Sequence, residues 1–355
     1  MRRFPLPALV AIVVVLAAAV PRMSADLVWS PGAGWHVEGG ALATLTGVDG
    51  RNALELMNKA RAEEEGRHWH SALKLYHKVT TRYGSSAYAA EALYRIGRIY
   101  QENKEYFKSF DSYQTMLQLY PSSQKFNQVV AEQYRIASLL LDGARPRVWG
   151  WFPGFRNRER AVEYFERIIA NAPYSDYAPL SLMDVAKGQR MLGGTEEAID
   201  ALDRMINTYP RSVLTPDAYL KLANAYASLV AGPYYDQEST RQAVTYYEDY
   251  LILFPGDSGA AEAEKGLAKM KRTLAESKVI LADYYFKYRK NYQAAKVFYN
   301  EAITVYPDSE VANRAKAKLV KVDALLHKQP PPADPTKAPV LPEAPKKKKK
   351  FLGLF

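Results

Sequence analysis

Hydrophobic and polar positions along the chain follow one pattern six times. A small residue is followed four places on by a large apolar one and twelve places on by Gly or Pro. The sets are Ala72, Tyr76, Gly84; Ser109, Tyr113, Pro121; Ala161, Phe165, Pro173; Ala198, Leu202, Pro210; Ala243, Tyr247, Pro255; and Ala295, Tyr299, Pro307. Residues four apart share a helix face, so each set predicts a helix whose buried side alternates small and large. The closing Pro has no amide hydrogen and disfavours helix in the residue before it, so each helix is expected to stop there. Five of the six large positions are aromatic in a chain that is 12% aromatic overall, which marks an internal repeat.

Upstream of these helices runs a second pattern, an apolar residue, a small one and, three places further, usually an aromatic. It appears as Ile96-Gly97 with Tyr100, Leu222-Ala223 with Tyr226 and Leu281-Ala282 with Tyr285, and as the aliphatic version Ile136-Ala137 with Leu140. Together the two patterns match the tetratricopeptide consensus of paired helices. The fold expected is all-α, a right-handed tetratricopeptide-repeat solenoid of five to six helix pairs with a C-terminal capping helix over Val311 to His327, about thirteen helices and no sheet. Small residues let paired helices approach, and the aromatic rings fill the space between successive repeats. Ser86, Ser123, Ser175, Ser212, Ser258 and Ser309, just past the breaks, are placed to cap the next helix. The uneven repeat spacing implies insertions at Asp142 to Asn157 and Gly232 to Ser239, and a lengthened helix from about Gly259 to Lys290.

Flanking the repeats the pattern changes. Arg2 and Arg3 precede an apolar stretch, Ala8 to Val20, that is too short to span a bilayer, so residues 1–25 read as a secretory signal peptide cleaved after Ala25. Residues 26–50 are Gly-rich without a sustained period and read as a flexible N-terminal arm. The solenoid is assigned to 51–328, and 329–355 to a disordered Pro/Lys-rich tail.

The 355 residues carry a net charge of +10 and no Cys. That count removes disulfides, zinc–thiolate sites, iron–sulfur clusters and thiol nucleophiles, and leaves no lipobox cysteine for acylation. The excess positive charge sits largely in the leader (Arg2, Arg3, Arg22) and in the run Lys346 to Lys350, so no nucleic-acid partner is expected. Gly-rich phosphate loops, nucleophile elbows and zinc helices do not occur, and neither an enzyme nor a cofactor is expected. His68, His70 and His77 lack a carboxylate at matching spacing, so no metal site is assigned. Glu63, Glu64 and Glu65 read as a solvated helix end.

The C-terminal repeats carry a more specific likeness. Asp236-Gln237-Glu238-Ser239-Thr240-Arg241-Gln242-Ala243 leads into Tyr247, Tyr250, Phe254 and Pro255; Leu267-Ala268-Lys269-Met270-Lys271, Leu281-Ala282-Asp283-Tyr284-Tyr285, Tyr292-Gln293-Ala294-Ala295 and Tyr306-Pro307-Asp308-Ser309 follow. This resembles the BamD (YfiO) family, the tetratricopeptide-repeat component of the outer-membrane β-barrel assembly machinery, over roughly residues 51 to 325. The resemblance implies a non-enzymatic periplasmic scaffold associated with the outer membrane. Its N-terminal repeats would bind unfolded outer-membrane barrel proteins and its C-terminal repeats the barrel-forming outer-membrane assembly protein. The alternative is a periplasmic repeat adaptor for peptidoglycan or envelope constriction machinery; the lack of sustained heptads favours the first.

A tetratricopeptide solenoid binds through the concave face formed by its first helices. Counting from Gly97 and its equivalents, that face receives Arg61, Tyr94, Arg98, Tyr134, Lys187 and Arg190. Cations and rings together suit an extended peptide with aromatic side chains and a terminal carboxylate. The insertion places Arg147, Trp149, Trp151, Phe152 and Phe155 on a loop suited to a partner surface. Lys346, Lys347, Lys348, Lys349 and Lys350, beside an apolar end, suit an anionic membrane surface.

Overall fold

The computed structural model describes residues 26–38, 48–148 and 151–327. The leader, Trp149, the lysine run and the rest of the tail lie outside the described residues. Thirteen α-helices are present among those described, and within each unit neighbouring helices pack in pairs. The chain divides by its internal contacts into two compact units, Met1–Leu222 and Ala223–Phe355.

In the first unit the pairs are α1 (Val48–Glu65) with α2 (Trp69–Arg82), α3 (Tyr88–Glu102) with α4 (Tyr106–Leu119), α5 (Phe126–Leu141) with α6 (Arg158–Asn171), and α7 (Tyr177–Leu192) with α8 (Thr195–Thr208). The boundary falls within α9 (Thr215–Ser228). In the second unit Tyr226 of α9 stacks on Tyr246 of α10 (Glu238–Leu253), with ring centroids 5.5 Å apart. Then come α11 (Ala260–Tyr284), α12 (Tyr292–Val305) and the closing α13 (Glu310–Leu326). The lengthened helix expected near 259–290 is α11, followed by a π-helical turn over Tyr285–Arg289.

The six small positions, Ala72, Ser109, Ala161, Ala198, Ala243 and Ala295, are fully buried, as are Tyr76, Tyr113, Phe165, Leu202, Tyr247 and Tyr299 four places on. Each second helix stops two residues before its Gly or Pro. The residue between, Tyr83, Tyr120, Ala172, Tyr209, Phe254 or Tyr306, leaves helical geometry, and in all but Tyr83, which precedes Gly84, the following proline disfavours helix there. A Cβ on Gly97 would lie 2.3 Å from the Tyr113 ring, so α3 and α4 touch through a position only glycine fits. Tyr113 therefore fills a gap inside its own repeat, where rings between repeats were expected. The inter-repeat ring contact is made instead by Phe110 of α4 on Tyr164 of α6, stacked at 3.6 Å.

Three details depart from the sequence expectation. Of the six serines placed just past the breaks, Ser309 alone caps the next helix, accepting from the Ala312 amide at 3.1 Å. Ser123 and Ser212 instead accept from the amides of Lys125 and Leu214 two residues on, closing the turn and not the helix. Two antiparallel hairpins occur where no sheet was expected: β1 (Asp26–Ser30) with β2 (Gly34–Glu38), and β3 (Arg147–Val148) with β4 (Phe152–Pro153). The first lies in the stretch read as a flexible arm. Its three-residue loop Pro31-Gly32-Ala33 ends in Gly34 at φ +69°, the left-handed residue that such a loop requires.

Candidate functional site

The first helices of the first unit carry the row read as a binding face, and their side chains fall into three groups. At the N-terminal end Arg61 is not free. Its guanidinium pairs with Glu64 at 2.8 Å and Glu65 at 3.1 Å and lies 4.7 Å from the centroid of Trp29 in β1. Glu64 is mostly buried and accepts from the Tyr76 hydroxyl at 2.6 Å and pairs with Arg95 at 3.5 Å, so this carboxylate is an internal hub and not part of a solvated helix end. Arg95 also binds the buried Glu91 at 2.8 Å, which pairs in turn with Lys125 at 3.2 Å. Burial, then the neighbouring Glu64, pushes the Tyr76 hydroxyl far above the usual phenol range, keeping it a donor.

In the middle Tyr94 is buried. Lys125 sits 4.6 Å from its ring centroid, and its hydroxyl accepts from Gln128 at 2.8 Å. Arg98, one turn on, is half-exposed and makes only long contacts, 3.4 Å to the Tyr94 hydroxyl and 3.5 Å to Glu102. Tyr134 of α5 donates to Asp184 of α7 at 2.7 Å and lies between the rings of Tyr177 and Phe165. Burial raises Asp184 above the ordinary carboxylate range against the pull of that hydrogen bond. These two tyrosines join helices; they are not open rings.

The third group is the one the fold assembles as a recess. Lys187 and Arg190 of α7, with Lys221 of α9, surround a cavity of about 350 Å³ floored by Ala186, Met191 and Leu202. Lys187 has a long contact to Asp142 at 3.3 Å, and Lys221 pairs with Asp217. Cations over an apolar floor can hold a carboxylate and an adjoining hydrophobic side chain. Lys221 was absent from the sequence reading because the binding face was counted only over the first four repeats, and Lys221 stands beside Ala223 in the fifth.

The insertion forms the second hairpin. The Arg147 amide donates to the Lys104 carbonyl at 2.8 Å and the Gly154 amide to the Pro146 carbonyl at 2.7 Å, which fix it beside the α3–α4 turn. Trp151 is 73% and Phe155 88% exposed, and Arg147 is exposed with them. Phe152 and Phe155 line an apolar cavity of about 340 Å³ with Phe107 and Val148. His68 pairs with Glu63 at 2.9 Å, and among the described residues no three side chains gather as metal ligands.

Comparison with known proteins gives two family matches. Residues 91–123, which hold most of α3, all of α4 and the closing Pro121, match a tetratricopeptide repeat. Residues 156–331 match YfiO, described as an outer membrane lipoprotein family. The C-terminal half of the chain belongs to the YfiO family. Curated relatives of this chain include the outer membrane protein assembly factor BamD of Xylella fastidiosa, 26% identical over 165 residues that cover 44% of this chain and 56% of the relative. BamD of Caulobacter vibrioides is 26% identical over 131 residues, covering 37% of this chain and 43% of the relative. The alignments thus span about half the length of those relatives. Among solved structures, a tetratricopeptide repeat protein from Parabacteroides merdae aligns over 77% of this chain and all of its own, at 12% identity and a TM-score of 0.31. No described helix of this chain is long and apolar enough to cross a membrane, and its 355 residues include no cysteine to carry a lipid.

Proposed function

We propose that this protein is a non-enzymatic periplasmic factor of outer-membrane protein assembly, whose N-terminal repeats bind extended segments of unfolded barrel proteins and whose C-terminal repeats dock on the barrel-forming assembly protein. The observation that carries the reading is the YfiO match over residues 156–331, joined to relatives named as outer membrane protein assembly factors. In the first unit, Lys187, Arg190 and Lys221 around their apolar recess supply the chemistry for a terminal carboxylate and its neighbouring aromatic ring, with Arg98 as a further accessible cation. The exposed Trp151 and Phe155 beside Arg147 are the second contact surface, because large rings left in water at a hairpin gain most from a partner. The Lys346–Lys350 run would add an attraction to anionic lipid.

Binding of a synthetic peptide with alternating aromatic residues and a free C-terminal Phe carboxylate tests the recess. Lys187→Glu with Arg190→Glu is expected to weaken binding by about 2–3 kcal/mol, because two charge-assisted contacts become repulsive. Capping the peptide as its amide should cost a comparable amount in the unsubstituted protein and little in the variant. Equal affinity of variant and parent for the free acid contradicts the assignment.

A further inference from the structure

Part of the first-helix face is covered by the protein's own N-terminal hairpin. Trp29 and Trp35 stand opposite each other in the β1–β2 register, so both project from one face. That face meets α1 and α3. Trp29 covers the Arg61 guanidinium, the Trp35 ring lies 5.1 Å from Arg95, and the Trp35 amide donates to the Asn58 side chain at 2.7 Å. Trp35 is only 3% exposed. The hairpin approaches so closely that a Cβ on Gly34 would lie 2.7 Å from the Asn58 amide oxygen. Arg61 is one of the residues that the spacing of the repeats places on the peptide-binding face.

We infer that Asn58, Arg61 and Arg95 form a site for an extended strand bearing aromatic side chains, and that the β1–β2 hairpin is its resident occupant, displaced when a client strand binds. This rests on the reading of the first-helix face as the client face, and it adds a regulating element to it. Three observations support an exchangeable contact. A lone two-stranded hairpin is marginal in water, so β1–β2 depends on α1 and α3 for its order. Its docking leaves the Trp35 indole N–H buried with no hydrogen-bond partner, a deficit that release into water removes. The chemistry that holds it, a planar cation against a ring and a side-chain amide against a strand amide, accepts any aromatic strand of similar register.

The test uses the full chain with Trp29→Ser and Trp35→Ser, its helical circular dichroism matched to the parent. A synthetic peptide of residues 26–38 should bind this variant and not the parent, and Arg61→Ala added to the variant should abolish that binding. The aromatic probe peptide should bind the variant about tenfold more tightly than the parent, since the site is no longer occupied. In a second chain that keeps Trp35 as its only tryptophan, saturating probe peptide should make Trp35 accessible to acrylamide. Failure of the 26–38 peptide to bind the folded variant, or unchanged Trp35 quenching at saturation, overturns the inference. If the 26–38 peptide binds through Arg61 while the aromatic probe binds neither chain, the strand site stands and the client reading falls.

Discussion

Gly97 shows how much one hydrogen atom decides in this fold. With the Tyr113 ring where a Cβ would be, Gly97→Ala must push a buried aromatic out of place. The expected loss is about 1–3 kcal/mol in urea unfolding, whereas Gly32→Ala, at an open loop position with nothing nearby, should be close to neutral. The tyrosine also has a polar duty that periodicity does not reveal. Tyr76, Tyr113, Tyr247 and Tyr299 each donate to a polar residue on the first helix of the same repeat: Glu64 at 2.6 Å, Gln101 at 2.8 Å, Asn224 at 2.5 Å, and Asp283. Tyr120 and Tyr209, at the helix ends, donate to the carbonyls of Gly84 and Pro173 at the preceding breaks, both at 2.6 Å. The small and large positions were readable because packing imposes a spacing. The acceptors were not, because a hydroxyl reaches Gln101 or Asn224 equally well from different offsets. For the same reason Tyr94 and Tyr134 counted as outward rings by position, yet their hydroxyls draw them into contacts with Gln128 and Asp184.

Among the elements, the second unit is closed by a lock between α11, α12 and α13. Asp283 accepts from Lys318 of α13 at 2.6 and 2.7 Å and from Tyr299 of α12. Burial disfavours its charge, but Lys318 and Tyr299 together outweigh that and hold the carboxyl below the usual aspartate range. A carboxylate whose pKa is lowered by folding contributes stability that is complete above its unfolded pKa of about 3.9 and is lost as pH falls through the folded value. Asp283→Asn should therefore cost about 1–2 kcal/mol near neutral pH, and the gap to the parent should close as unfolding is measured towards about pH 2. A gap that stays constant with pH would remove the charge from the explanation. At this scale the helices were largely legible, since each carries its own period and the second helix of each pair ends at its Gly or Pro. The hairpins were not. Residues 26–38 are too few to show a period against the glycines around them, and their order comes from Arg61, Arg95 and Asn58, which lie far along the chain.

At the level of the whole molecule, the functional reading joins a repeat architecture and a family to two surfaces, the cation-lined recess of the first unit and the aromatic hairpin. The family was legible because the C-terminal repeats keep its residue order, and the match over residues 156–331 falls on that part of the chain. The recess was half legible: Lys187 and Arg190 follow from helix counting, while Lys221 joins them only once α7 and α9 are brought to one cavity. Affinity isolation of the tagged protein from detergent-solubilised envelopes, read by mass spectrometry, tests the central claim most directly. The barrel-forming assembly protein should be recovered together with unfolded barrel proteins, and Trp151→Ser with Phe155→Ser should lower the recovery of partner without changing the helical signal. Recovery of peptidoglycan synthases with no barrel component would contradict the account.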